Sequence, residues 1–208
     1  MNRKCGTCTL CCKLLPVHHE STDLTLKKPA LERCPFQRFH KGCTIHNTER
    51  YPDSCRRWSC MWLLEQVPEG IRRPDRIGYV IDVLPDMVSR LIEETGEIVS
   101  YPVIQVWVDP SKVANGTFEI DEALWGYMEK LGDQGWGILF REGSERAHTF
   151  VKDQETGTWL MGGGDKAIRE KQYTADQIWK TIEESGASRA PMDGVLDVFK
   201  RGLGVDGV

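Results

Sequence analysis

The chain has 208 residues, of which 40% are hydrophobic and 28% are charged, and its formal net charge at pH 7 is −4. A chain of this length and composition can bury a sizeable core and has room for one ordinary domain with a small accessory module, which excludes an intrinsically disordered protein. No stretch approaches the roughly 20 apolar residues that cross a bilayer, so we do not expect a membrane protein.

The eight cysteines all lie within the first 60 residues. The residues before Cys5 show no apolar run and no cleavage site of a secretory signal, which favours a cytoplasmic location. Thiols stay reduced there, so a dense cysteine pattern predicts a metal site rather than a set of disulfides. The predicted metal ligands are Cys5, Cys8, Cys11, Cys12, Cys34, Cys43, Cys55 and Cys60.

The first four cysteines have the spacing Cys-x2-Cys-x2-Cys-Cys. A two-residue spacer lets both sulfurs face one ion, because the turn between them frees backbone N–H groups to hydrogen-bond the thiolates. Structural zinc takes four ligands, so eight thiolates suit two ions. The adjacent Cys11 and Cys12 would then serve different ions, or one of them would bridge. The spacing does not show which later cysteine joins which earlier one.

The favoured cofactor is zinc, as one to two ions, and the alternative is iron or an iron–sulfur cluster. Iron competes because Cys-x2-Cys-x2-Cys also opens the bacterial ferredoxin motif. That motif continues with a cysteine after three residues and then a proline, whereas here Cys12 follows at once and the next cysteine is Cys34. His46, three residues after Cys43, is expected at the surface or beside a sulfur rather than as a ligand.

The charge is divided unevenly along the chain. Residues 1–60 carry 11 Lys and Arg against 5 Asp and Glu, a net charge of +6, while the remainder carries 16 against 26, a net charge of −10. Cations beside a cysteine cluster stabilise thiolates. No helix-turn-helix or ribonucleoprotein motif accompanies the positive charge, so we expect metal ions, and not nucleic acid or a membrane, as partners.

The remainder of the chain is predicted to form strands in hairpin-like succession and two helices. Strands rich in β-branched and aromatic residues are predicted at 77–84, 98–108, 135–140 and 147–151, with a bulge or break at Pro102. Helices are predicted at 119–131, before Gly132, and from Thr174, where Thr174 and Gln177 match a capping box, to Gly186.

These elements predict an α+β fold. We expect an N-terminal cysteine-rich metal-bound module with little regular structure, docked on a body of antiparallel sheet and helices. The predicted boundaries are 1–70 for the module, 71–201 for the body and 202–208 for a flexible tail.

A family resemblance is carried by the residues around each cysteine. They are Cys5-Gly6-Thr7-Cys8-Thr9-Leu10-Cys11-Cys12, Cys34-Pro35-Phe36, Cys43-Thr44-Ile45, Tyr51-Pro52-Asp53-Ser54-Cys55-Arg56 and Cys60. This series resembles the YkgJ-type cysteine cluster family, whose members share a CxxCxxCC motif and are described as zinc- or iron-chelating proteins. The resemblance covers about the first 60 residues and implies metal chelation without a particular reaction. An iron or iron–sulfur dependent enzyme, with its site between the two halves of the chain, is the alternative function.

Overall fold

The computed structural model describes most of the chain up to Gly164, namely residues 3–22, 24–39, 41–83, 87–92, 95–114, 117–143 and 146–164. The helix predicted from Thr174, the end of the predicted body and the predicted tail lie outside the described residues. A search of the described helices for one long and apolar enough to cross a membrane finds none.

Regular structure in the first part of the chain consists of short helices and two short hairpins. The first hairpin is antiparallel and pairs Val17 with Lys28, and the second pairs Gln37 with Cys43. In chain order the elements are α1 (Cys11–Leu14), β1 (Val17–Glu20), β2 (Thr25–Lys28), β3 (Gln37–Arg38), β4 (Gly42–Cys43), α2 (Asp53–Arg57) and α3 (Pro74–Ile77).

A six-stranded sheet forms the second part of the described chain. Five strands follow one another in the order β12-β11-β10-β7-β5, and β6 pairs with the first half of β7. The remaining elements are β5 (Tyr79–Asp82), β6 (Met87–Ile92), β7 (Glu97–Val108), the hairpin of β8 (Val113–Ala114) and β9 (Thr117–Phe118), α4 (Glu122–Asp133), β10 (Gly137–Glu142), β11 (Arg146–Lys152) and β12 (Trp159–Gly164).

The sheet is mixed, which corrects the predicted antiparallel sheet. Strand β10 pairs parallel to β7, with Gly137 opposite Val103, while the other neighbours are antiparallel. Parallel pairing needs a long crossover, and the segment that contains α4 supplies one.

The predicted interruption at Pro102 is also corrected, because β7 continues through this residue. Pro102 lies opposite Met87, where the pairing with β6 ends, and the pairing with β10 begins only at Val103. Proline has no N–H to donate, but this position is the one at which β7 changes its partner strand. The sheet therefore loses little backbone hydrogen bonding. Strand β12 was not predicted, because its three glycines have low β-propensity.

The two faces of the sheet carry different cores, because successive strand residues point to opposite sides. One face packs against α4 through Ile81, Val106 and Ile138, together with Leu124 and Met128 of the helix. The predicted helix at 119–131 is thus confirmed as α4, which begins one residue after its N-cap Asp121.

The opposite face of the sheet is covered by the N-terminal residues. Val80 and Trp107 pack there against Cys8, Leu10 and Leu14, and Leu14 is fully buried. Packing on both faces joins the described residues into one compact unit.

Candidate metal centre

All eight cysteines line a single cavity of about 880 Å³. The sheet contributes Val80 and Trp107 to the wall of this cavity, and every cysteine has a free thiol. Among the residues that the structure describes, no three Cys, His, Asp or Glu side chains are arranged to hold a metal ion. The predicted ligands therefore share one cavity without being arranged around a common ion.

Close backbone contacts bring the first cysteines beside the second hairpin. The Cys8 N–H donates to the Cys5 carbonyl at 3.0 Å, and Gly6 in this turn has a φ of +55°, which favours glycine. Gly42 has a φ of +90°, and a Cβ at this position would lie 3.1 Å from the Gly6 oxygen. Glycines at both positions let the turn and the hairpin approach closely enough to enclose the cavity.

Cys34, Cys43 and Cys60 share one pattern of backbone hydrogen bonds that favours the thiolate form. Burial raises the pKa of each thiol, and backbone N–H groups two and three residues further along the chain oppose this rise. These groups belong to Phe36 and Gln37 for Cys34, to Ile45 and His46 for Cys43, and to Leu63 and Trp62 for Cys60. This is the arrangement that orients sulfur ligands in metal sites.

Burial, and to a smaller extent the charges of neighbouring cysteines, raises the pKa of most of the thiols. Burial, followed by the charges of Cys8 and Cys60, raises the pKa of Cys5 to about 11. Burial and the charge of Cys12 raise the pKa of Cys55 to about 11. A hydrogen bond between the Cys11 and Cys12 thiols raises the pKa of Cys11 and lowers that of Cys12. Metal binding must therefore displace protons from these sulfurs.

A buried cation, Lys28, lies beside the cavity. Its side chain is 5% exposed, and its Nζ donates to the carbonyl oxygens of Pro29 and Glu32, each at 2.9 Å. Burial lowers the pKa of Lys28, and the charges of Cys34 and Cys12 raise it. Buried lysines need compensating charge, so this position fits a cluster of thiolates.

Sequence reasoning missed Lys28, although its strand contained a signal. Residues of β2 alternate between exposed and buried, and Lys28 falls on the same face as the buried Leu26. A lysine at an inward position of an alternating strand marks a buried charge. The adjacent Lys27 points outward and forms an ion pair with Glu20 at 2.8 Å.

The sheet also places an acid close to the centre. Asp82 is 2% exposed, and its Oδ1 accepts a hydrogen bond of 3.0 Å from the indole Nε1 of Trp58. Burial raises the pKa of Asp82 to about 7. The charge of Asp82 in turn raises the pKa of Cys60.

His46 lines the cavity, and its ring packs 5.0 Å from the Tyr51 ring.

Comparison with known proteins identifies no relative: no protein-family model, no curated protein and no solved structure matches the chain. The candidate metal centre is thus defined by the cavity and by the chemistry of its eight thiols.

Proposed function

We propose that this is a cytoplasmic metal-binding protein whose eight cysteine thiolates hold zinc, as one to two ions. The observation that carries the proposal is the convergence of all eight cysteines on one cavity. Isolated buried cysteines behave as small hydrophobes and have no reason to share one cavity. Thiolates that bind a common metal centre must converge on one place, and a shared cavity is the expected result. The resemblance of residues 5–60 to YkgJ-type proteins implies the same chemistry.

The electrostatic surroundings support thiolate ligands. The Lys28 ammonium offsets negative charge beside Cys12 and Cys34. The guanidinium of Arg73 lowers the pKa of Cys5 against the larger effect of burial, whereas at Cys8 the charge of its ion-pair partner Asp75 outweighs it. Cations near the thiols reduce the repulsion among thiolates once metal has replaced their protons.

A second function is favoured by the size and lining of the cavity. Its volume of about 880 Å³ falls within the range of small-molecule sites, and it has apolar walls that include Val17, Phe36 and Trp107. An iron or iron–sulfur dependent enzyme with its site between the two halves of the chain would use such space for a substrate.

Anaerobic purification followed by elemental analysis tests both functions. The first predicts colourless protein with about one to two zinc per chain. Brown protein with iron and acid-labile sulfide in comparable amounts would instead support the second. The variant Cys8→Ser/Cys55→Ser should lose metal, and Ser59→Ala, which changes a cavity residue without a thiol, should retain it. Folded protein that takes up neither metal would contradict both functions.

A further inference from the structure

One group of cysteines packs against the sheet. Cys8 belongs to the hydrophobic cluster of Leu14, Val80 and Trp107, and Cys11 and Cys60 pack against the same cluster. Cys60 is held there because the N–H of the next residue, Met61, donates to the Ile81 carbonyl of β5 at 3.0 Å. Cys8 and Cys11 thus share one patch of the sheet with Cys60, which is distant from them in sequence.

Cys5 is joined to this group by its turn. Besides the bond from the Cys8 N–H to the Cys5 carbonyl, the Cys5 Sγ donates to the Cys8 carbonyl at 3.5 Å. Cys5, Cys8, Cys11 and Cys60 therefore form a first group.

The other cysteines are linked by the hairpins, away from the sheet cluster. The Cys34 N–H donates to the Cys12 carbonyl at 3.0 Å. The Cys34 carbonyl accepts from the Gln37 N–H at 3.0 Å, and Gln37 pairs with Cys43 across the second hairpin. Cys12, Cys34 and Cys43 are thereby connected through three successive backbone contacts.

Cys55 is joined to the hairpin by two aromatic residues. The His46 N–H donates to the Cys43 carbonyl at 3.4 Å, and the His46 ring packs against Tyr51. The Tyr51 hydroxyl then donates to the Cys55 carbonyl at 3.1 Å. Cys12, Cys34, Cys43 and Cys55 form a second group.

The two groups meet at Cys11 and Cys12, which are consecutive residues of α1. Consecutive side chains of a helix are rotated by about 100°, so Cys11 can face the sheet cluster and Cys12 the hairpins while their two thiols stay within hydrogen-bond distance of each other. Each group then contains the four thiolates that one tetrahedral ion needs.

We propose that the eight cysteines form two separate four-thiolate metal sites, the first of Cys5, Cys8, Cys11 and Cys60 and the second of Cys12, Cys34, Cys43 and Cys55. This division rests on the proposed function, metal binding, and assigns its ligands.

Paired substitutions in the full chain, reloaded with Zn²⁺ alone under reducing conditions, test the division. Ions are counted by native mass spectrometry at a chelator concentration at which the wild type keeps two. Cys5→Ser/Cys60→Ser and Cys43→Ser/Cys55→Ser each damage one site and should each keep one ion. Cys43→Ser/Cys60→Ser also removes two thiols but damages both sites, so it should keep neither ion.

Thiol protection in the wild type tests the division without any substitution. With one equivalent of Zn²⁺, N-ethylmaleimide should leave the four cysteines of one group unmodified together in each singly loaded molecule, as read by mass spectrometry. Protection of cysteines drawn from both groups in one singly loaded molecule would overturn the division while leaving metal binding intact. Equal ion counts in all three double variants would do the same. A wild type that binds no zinc would overturn the proposed zinc function and the division together.

Discussion

Lys28 shows at the scale of a residue how the fold accommodates the proposed metal centre. A lysine ammonium loses its water on burial, and here it donates instead to the carbonyl oxygens of Pro29 and Glu32 at 2.9 Å and of Lys13 at 3.4 Å. Asp82 is a buried acid on the neighbouring sheet and accepts a hydrogen bond from Trp58. Both residues have environments whose effects on stability can be measured.

We expect Lys28→Met to lower the free energy of unfolding by about 1–3 kcal/mol, because it leaves the carbonyls of Pro29 and Glu32 without their donor. The loss should be larger in zinc-loaded protein, where methionine cannot offset thiolate charge. Lys27→Met is the matched control, since this exposed lysine forms a surface ion pair worth at most about 1 kcal/mol. Denaturant titration measures both variants, and equal losses in the two would contradict the role of Lys28.

Asp82 should make stability depend on pH. Its folded pKa, raised to about 7, lies above the unfolded value, so the folded protein retains a proton that the unfolded chain loses. Its contribution is fully present below about pH 4 and disappears as the pH rises through 7. Over this interval we expect the stability of the wild type to fall relative to Asp82→Asn, by an amount on the order of a few kcal/mol.

The comparison between wild type and Asp82→Asn is made in one metal state, so that thiol titration cancels. Glu69→Gln, at an exposed acid, serves as the control and should leave the pH dependence unchanged. Parallel stability curves for wild type and Asp82→Asn between pH 4 and 7 would show that the proton is not held at Asp82.

Helix α4 shows at the scale of an element how a local signal and a distant contact combine. Asp121 caps the helix by accepting from the Leu124 N–H at 2.8 Å, and its Oδ2 accepts from the Tyr79 hydroxyl at 3.1 Å. The cap is a local feature of the sequence, whereas Tyr79 reaches it from β5. The same carboxylate therefore ties α4 to the sheet that it covers.

Asp121→Ala should cost about 1 kcal/mol for the cap and a further 1–3 kcal/mol, roughly, for the buried Tyr79 hydroxyl left without its acceptor. In a Tyr79→Phe background only the cost of the cap should remain. Thermal or denaturant unfolding of the two single variants and the double variant gives the coupling energy. Additive costs would mean that the bond between Tyr79 and Asp121 contributes nothing.

The whole molecule combines two cores of different size on the two faces of one sheet. Among the residues that the structure describes, the cluster under α4 holds fourteen buried residues, whereas the cluster beneath the N-terminal residues holds five, one of them Cys8. A small core gives little stability by itself. If metal is structural here, it must supply much of what holds residues 3–60 in place.

Metal removal should therefore loosen the N-terminal residues first. We expect a chelator to raise hydrogen exchange and protease cleavage throughout residues 3–60, while α4 and β10 stay protected. Chelator with excess zinc is the control. Protection that persists everywhere would show that the metal is not structural. If α4 and β10 lose their protection at the same time as residues 3–60, the two halves form one cooperative unit and the predicted boundary near residue 70 is wrong.

Local features of the sequence predict the ligand chemistry and account for several of the elements. Cysteine spacing predicts metal binding because thiolate ligands and the turns between them are local features. Strands 98–108 and 147–151 and helix α4 follow from periodicity and composition, which are local too.

Tertiary contacts fix the parallel pairing of β7 with β10, the burial of Lys28 and the packing of Cys8, Cys11 and Cys60 against the sheet. Each of these depends on contacts between residues distant in sequence. Local propensity carries no information about such contacts, because it is the same whichever surface later packs against the segment.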